Sequence, residues 1–237
     1  LQALQPLQPL QASLDNVWVV IAAYREAAVI GEVVRGVICQ GYRVLVVDDA
    51  SPDATGELAR AAGATVLRHP INLGQGASLQ TGISFALSRG AQALVTFDAD
   101  GQHRPGNIGD LLDALRQEDA DFALGSRFLR GEAQVPPARR IMLKLATLFT
   151  RLTTGLRVTD THNGLRAMTR RGASAIALRQ NRMAHASEIL HQIAESGLRY
   201  VERPVTVDYT AYSRAKGQTM GDALLILTDL FARRLQR

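Results

Sequence analysis

The hydrophobic positions follow two periodicities that alternate along the chain. From Val17 to Ala23 the run Val-Trp-Val-Val-Ile-Ala-Ala is apolar without a break, the pattern of a strand buried on both faces, and it predicts a central parallel strand. Val29, Val33, Val34 and Val37 then recur at helical spacing. Further strands are predicted at Arg43–Val47, Ala64–Leu67, Ala93–Phe97 and Phe122–Leu124, separated by helices over Thr55–Ala62, Gly76–Ser88 and Ile108–Leu115. Another helix is predicted from His185 to Ser196. Such β-α alternation predicts an α/β fold, a mostly parallel central sheet with helices on both faces.

Two amphipathic stretches follow in the C-terminal half. Beyond Pro136-Pro137, residues Ile141, Leu145, Leu148, Phe149 and Leu152 fall on one helical face, with Lys144, Thr147 and Arg151 marking the opposite one. Met220, Ala223, Leu224, Leu227, Leu230 and Phe231 form a second apolar face near the arginine-rich end of the chain. Packing on their own domain or docking at a membrane interface would each satisfy these patterns.

Size and charge narrow the picture. A chain of 237 residues suits one catalytic domain, expected over 16–212, with a flexible lead-in at 1–15 and a loop plus amphipathic helix at 213–237. The lead-in repeats Leu, Gln and Pro and carries no n-region charge, so it does not read as a secretory signal. With 21% charged and 46% hydrophobic residues the chain is neither disordered nor fibrous. Cys39 is the sole cysteine, which excludes an internal disulfide framework or a cysteine-rich zinc site and favours a reducing, cytoplasmic setting. No apolar run reaches the roughly 18–20 residues needed to cross a bilayer. Basic residues cluster at Arg127, Arg130, Arg139, Arg140, Lys144 and Arg151 and at Arg233, Arg234 and Arg237, which suits phosphates or acidic headgroups.

In doubly wound sheets ligands bind beyond the carboxyl ends of the strands. Those positions are acidic here: Tyr24-Arg25-Glu26 after the first strand, Asp48-Asp49-Ala50-Ser51-Pro52-Asp53 after the second, and Asp98-Ala99-Asp100-Gly101-Gln102-His103 after the fourth. If the strand geometry persisted, Asp98, Asp100 and Gln102 would project to one side and offer three oxygens to Mg²⁺ or Mn²⁺, leaving positions open for diphosphate. With 14 aspartates in the chain, about one Asp-x-Asp arises by chance. Asp119-Ala120-Asp121 precedes a strand instead of following one and reads as a polar loop. The chain contains neither a Gly-x-Gly-x-x-Gly after the first strand nor a Gly-Lys-Ser/Thr loop, so a dinucleotide site and a P-loop are both unsupported.

These segments occur in order with Asn72-Leu73-Gly74-Gln75-Gly76-Ala77, Gly125-Ser126-Arg127, Asp160-Thr161-His162-Asn163-Gly164-Leu165-Arg166 and Tyr212-Ser213-Arg214-Ala215-Lys216-Gly217-Gln218. The set resembles the family-2 glycosyltransferases of GT-A fold, in their dolichol-phosphate mannose synthase-like branch, from about Val17 onward. The resemblance implies that Ala23, Tyr24 and Glu26 line the base and ribose pocket and that Asp49 accepts a hydrogen bond from the base. It places the metal on Asp98, Asp100 and Gln102, and phosphates against Arg127, Arg214 and Lys216, Lys216 lying on a loop that closes over the donor. Physical alternatives stand beside these roles: Asp48 and Asp53 capping the next helix, and Arg127 pairing with a neighbouring carboxylate. The chain departs from the family pattern in having Ala22-Ala23-Tyr24-Arg25-Glu26 where Pro-x-Tyr-Asn-Glu is common, and Gln75 where a lysine is common. It lacks the Gln-x-x-Arg-Trp signature of processive synthases, Trp18 being the only tryptophan, so transfer of one sugar is expected.

The implied reaction is inverting, metal-dependent transfer from a UDP- or GDP-sugar to a polyprenyl phosphate, at the inner face of the cytoplasmic membrane as a peripheral protein. A lipid phosphate is already ionised near neutral pH and needs no strong general base. Asp160 and Glu188 are the acceptor-side candidates, although Glu188 equally reads as an exposed helix carboxylate. A membrane-protein partner fits the second amphipathic helix, and nucleic acid is not an expected partner. Two alternatives remain: a soluble glycosyltransferase using Asp160 or Glu188 as base toward a sugar or protein hydroxyl, and a nucleotide-sugar-binding pseudoenzyme that recruits a membrane partner.

Overall fold

The computed structural model describes residues 16–129, 137–180, 184–208 and 212. The expected lead-in, the second amphipathic helix, Arg214 and Lys216 lie outside the described residues.

The long apolar runs become the centre of the sheet because only a strand covered on both faces can use them. Strands β1 (Val17–Ala23), β2 (Arg43–Asp48), β3 (Thr65–Arg68) and β4 (Ala93–Asp98) are mutually parallel where they pair, with helices α1 (Ile30–Ile38), α2 (Thr55–Ala61) and α3 (Gln75–Ser88) as crossovers. Helix α4 (Asn107–Gln117) leads to β5 (Phe122–Ser126), and α5 (Pro137–Thr154) leads to β6 (Arg166–Thr169). The chain then forms α6 (Arg170–Ser174), α7 (Ala184–Ser196) and β7 (Tyr200–Pro204). The seven strands lie in the order β3-β2-β1-β4-β6-β5-β7. The expected mostly parallel sheet is present, with one exception: β6 inserts antiparallel between β4 and β5.

Two apolar layers hold the sheet. On one face Val19, Ile21, Val46, Val95 and Ala123 meet α1 through Val34 and Val37 and α4 through Ile108 and Leu111. On the other, Val20, Leu45, Leu94, Leu124 and Met168 meet α3 through Leu79 and Ile83 and α7 through Ile189 and Ile193. Alternate residues of each strand serve alternate layers, as the pleat requires. Both sheet edges are short strands without a fully buried residue, β3 and β7, and β7 ends in Pro204, which suits an edge.

Helix α5 is turned differently from the sequence expectation. Leu143, Thr147 and Thr150 are buried against the body, and α5 packs on α7. Ile141, Leu145, Leu148 and Leu152 are all more than half exposed, Leu152 at 77%. Lys144 and Arg151 are exposed as well. At about 100° per residue they flank the apolar row and do not oppose it. The buried Thr147 hydroxyl donates to Leu143 O in the preceding turn at 2.8 Å and so needs no outside partner.

Close helix-to-sheet approach depends on Gly82 of α3. A Cβ there would lie 2.3 Å from Val20 Cγ1 and 3.3 Å from Val47 Cγ2, on stiff β-branched side chains of β1 and β2. Gly82→Ala is therefore expected to lower stability by about 1–3 kcal/mol through overpacking, although alanine favours a helix over glycine by about 1 kcal/mol. A urea-unfolding midpoint equal to or above the parent's would contradict this.

Candidate active site

The parallel strands end together, and the register fixes how. Ala22 pairs with Asp98 and Ala23 with Asp48, so the ends of β2 and β4 flank the end of β1 at one height. The three loops beyond are tied to each other. Asp49 N donates to Ala23 O at 2.9 Å, Arg25 N to Ser51 Oγ at 3.1 Å, and Glu26 N to Thr55 Oγ1 at 2.8 Å. Arg25 and Ala50 hold φ of 56° and 59°, a left-handed conformation uncommon for non-glycine residues and found in strained, over-determined loops.

The expected donor-side residues gather here with distinct environments. Ala23 is buried and its carbonyl is taken; Tyr24 sits at the surface beneath the Arg25 guanidinium, 5.3 Å from its ring centroid. Glu26 is buried and accepts from Tyr212 Oη at 2.8 Å. Asp49 is an anchor for the 72–74 loop: it accepts from Leu73 N at 2.9 Å and Gly74 N at 2.7 Å and meets His69 Nδ1 at 2.8 Å. A base contact at Asp49 has to share oxygens already engaged. Asp48 is wholly buried, accepting from Ser51 N and Arg68. Asp53 accepts from Thr55 N at 3.2 Å, one residue before the N-cap Ala54 of α2, so neither aspartate is the cap itself.

Asp98 closes β4, and the strand does not continue: residues 99–101 turn, with Gly101 at φ 74°. The assumption of persistent strand geometry therefore fails. The turn brings Asp100 back toward Asp98, with Gln102 N donating to Asp100 Oδ1 at 3.1 Å. Asp98 Oδ2 meets His103 Nε2 at 2.9 Å. Its carboxylate lies against Gly164, where a Cβ would stand 2.2 Å from both oxygens, so only glycine fits that place. Burial alone would raise the Asp98 carboxyl. The His103 hydrogen bond and the charges of His103, Arg166 and His185 outweigh it and hold the group below the usual carboxylate range. Asp100 moves the other way: burial first, then the Asp98 charge, push it up to about 6.

The crowding of Asp100 against the charged Asp98 is the observation that fits a divalent cation. Two aspartates and the Gln102 amide are hard oxygen donors of the kind Mg²⁺ and Mn²⁺ take. Among the described residues no three His, Cys, Asp or Glu side chains form a metal cage on their own.

On the expected acceptor side, Arg127 is 9% exposed and is bound by Asp160, Nε to Oδ2 at 2.6 Å and Nη2 to Oδ1 at 3.3 Å, with Nη2 also donating to His162 O at 2.9 Å. The carboxylate-paired alternative is thus the one realised. Glu188 accepts from Arg179 N and Gln180 N and so clamps the loop before α7; it is not an idle surface carboxylate. Asp121 is buried and paired with Arg171, far from the role its spacing with Asp119 imitates. Sequence reasoning did not single out His103, His162, Gly164 or Arg166 as site residues. The signals were their places in the sequence: His103 ends the acidic loop, and His162, Gly164 and Arg166 lie in the family-like segment from Asp160 to Arg166.

Residues 18–176 match the family model described as Glycosyl transferase family 2. The chain belongs to that family. It is a glycosyltransferase of the dolichol-phosphate mannose synthase-like branch. It is 34% identical over 197 residues to the undecaprenyl-phosphate mannosyltransferase of Micrococcus luteus, covering 78% of this chain and 80% of that protein. To the polyprenol monophosphomannose synthase of Mycolicibacterium smegmatis it is 32% identical over 213 residues, covering 84% and 78%. Among solved structures, the glucosyl-3-phosphoglycerate synthase of Mycobacterium tuberculosis in complex with Mn²⁺ and UDP-glucose superposes with a TM-score of 0.67 at 18% identity, over 92% of this chain and 78% of that one. This likeness shows the GT-A-like fold.

His162 gives this glycosyltransferase an acid-sensitive site. Burial pushes its imidazole down to about 4; Asp160 opposes the shift, and Arg127, Arg166 and His185 add to it. The folded state thus favours the neutral ring, the unfolded chain protonates first near 6.5, and stability falls as pH drops from about 6.5 toward 4. His162→Gln is expected to lose about 1–2 kcal/mol less stability than the parent between pH 7 and pH 5. The comparison cancels Asp100, whose raised value acts in the opposite direction in both proteins. Parallel urea midpoints at the two pH values would overturn the assignment.

Proposed function

We propose that the chain transfers one sugar, with inversion, from a UDP- or GDP-sugar to a polyprenyl phosphate at the cytoplasmic face of a membrane. The observation that carries this reading is the commitment of the two carboxylates a hydroxyl acceptor would need. Asp160 is spent on Arg127 and Glu188 on the loop before α7. An acceptor phosphate, ionised beforehand, requires no such base. The two relatives above, named for undecaprenyl-phosphate mannosyl transfer and polyprenol monophosphomannose synthesis, support the same acceptor class.

In this reading Asp98, Asp100 and Gln102 hold Mg²⁺ or Mn²⁺. The chemistry such an ion supplies is stabilisation of charge on the departing nucleoside diphosphate. The chain's own residues bind and orient. Ala23, Tyr24 and Glu26 bound the nucleoside pocket, and Asp49 fixes the loop that shapes it. His103 and Gly164 set the Asp98 carboxylate in one orientation, and Asp160 sets Arg127, which keeps positive charge beside the acceptor. Rate then comes from positioning and electrostatics. Arg214 and Lys216 are assigned to the phosphates by family resemblance.

The docking surface is the exposed row of α5. Among the described residues no helix is long and apolar enough to cross a membrane, so attachment falls to surfaces. Ile141, Leu145, Leu148 and Leu152, flanked by exposed Arg140, Lys144 and Arg151, match an anionic lipid surface in both apolarity and charge.

With Mg²⁺ or Mn²⁺, the protein is expected to release UDP or GDP from a nucleotide sugar only when a polyprenyl phosphate is supplied. Equal turnover with a free sugar acceptor would reject the lipid phosphate. Separately, Leu148→Asp with Leu152→Asp is expected to cut co-sedimentation with vesicles containing phosphatidylglycerol at least fivefold without altering Mn²⁺ and nucleotide binding; unchanged sedimentation would reject α5 as the docking element.

A further inference from the structure

Arg166 lies in the back wall of the site, and the transfer scheme above gives it no part. In β6 it pairs with Thr96 of β4 on one side and Leu124 of β5 on the other. Side chains alternate between the faces of a strand, and Leu94, Leu124 and Met168 all belong to the layer beneath α3 and α7. Thr96, Asp98 and Arg166 therefore share that face, and Asp98 is the diagonal neighbour of Arg166 across the β4–β6 ladder, a separation that a long side chain spans.

The guanidinium is buried, at 4% exposure, and its Nη1 has no hydrogen-bond partner among the described residues. Arginine cannot shed its charge by deprotonation, so an arginine kept there carries its full desolvation cost. The arginines paired with buried carboxylates look different. Arg171 grips Asp121 with two hydrogen bonds, and Arg127 grips Asp160 likewise. Arg166 instead acts through its charge on two acids at once, Asp98 on the donor side and Asp160 on the acceptor side. Asp100, His103, Arg127, His162 and His185 are further titratable groups that belong to this cluster.

We propose that Arg166 is a positioning residue whose buried charge, standing behind both Asp98 and Asp160, holds the metal-binding carboxylate and the Arg127–Asp160 pair in one arrangement. It touches neither substrate nor metal; it fixes the groups that do. The inference rests on the metal role given above to Asp98 and Asp100. Losing an outer-shell partner of this kind typically weakens metal binding about 10- to 100-fold.

The test is a Mn²⁺ titration of the full chain in the presence of UDP and, separately, GDP, read as bound metal and not as turnover. The parent and Asp100→Ala define full binding and its loss. Arg166→Gln, which keeps much of the shape and removes the charge, is expected to weaken Mn²⁺ binding at least tenfold and to raise the KM for polyprenyl phosphate. Arg166→Lys, which keeps the charge, is expected to lose less than tenfold. Folded Arg166→Gln that binds Mn²⁺ as the parent does overturns the proposal, and so does a tenfold or greater loss in Arg166→Lys. Should Arg166→Gln fail to fold, the lysine variant decides by the same threshold. A parent that binds no Mn²⁺ with either nucleotide would overturn the metal reading and this inference together; a parent that binds, with Arg166→Gln unaltered, overturns this inference alone.

Discussion

The crowding of Asp98 and Asp100 at the end of β4 is the constraint around which the site is organised. Two carboxylates in one partly desolvated corner cannot both ionise cheaply, and the protein divides the burden between them. His103, Arg166 and His185 favour the charged form of Asp98, while Asp100 is left with its proton affinity raised. His103, in the loop after β4, makes the leading contribution, and cationic groups behind Asp98 add to it. Antiparallel β6 supplies Arg166, and the segment leading into β6 supplies Gly164, whose missing side chain is the space the carboxylate occupies. The one irregularity in the sheet topology thus contributes to the tolerance of the acidic edge.

The sequence revealed the elements that are buried on both faces, and for that reason. β1, β2 and β4 are long apolar runs bounded by turns, and the acidic loops after them mark the carboxyl edge. β6 and β7 were not legible. Arg-Ala-Met-Thr carries a charge at its first position, and Tyr-Val-Glu-Arg-Pro is an edge strand of half-buried residues, so neither has the periodicity that identifies a strand. The same limit applies within the site. Asp98 and Asp100 stood out by position, but the partner of Arg127 lies 33 residues away, and the partner of Asp98 on the sheet side lies beyond α5. Such pairings are set by topology, which local spacing does not encode. The β4 end also shows how a spacing argument fails: Asp98 and Asp100 come together because the chain turns at Ala99 and Asp100 as soon as β4 ends, not because a strand carries them to one side.

Periodicity located the apolar stripe of α5 but could not decide which side of the helix faces the body. That choice turns on the polar side. Thr147, Thr153 and Thr154 hydroxyls donate to carbonyls in the preceding turn, which lets the threonine side of the helix pack inward without stranding a polar atom. A face of lysine or arginine in the same place could not be satisfied within the helix. The stripe of Ile141, Leu145, Leu148 and Leu152 is left outside at a cost that the fold itself does not recover.

The placement of α5 links that surface to the chemistry. The chain leaves the site at Arg127, forms α5, and returns at Asp160, and the buried Arg127–Asp160 pair closes the excursion at its base. Arg151 Nε donates to Val158 O at 2.7 Å and ties the far end of the helix to the returning strand of chain. The far end of α5 is therefore tied to the segment that carries Asp160, whose ion pair with Arg127 also belongs to the site. Breaking a buried pair of this kind leaves an uncompensated charge and costs about 3–5 kcal/mol, which keeps that segment in place. Under the docking proposed for α5, the surface that the row engages and the Arg127–Asp160 pair would share that one segment of chain.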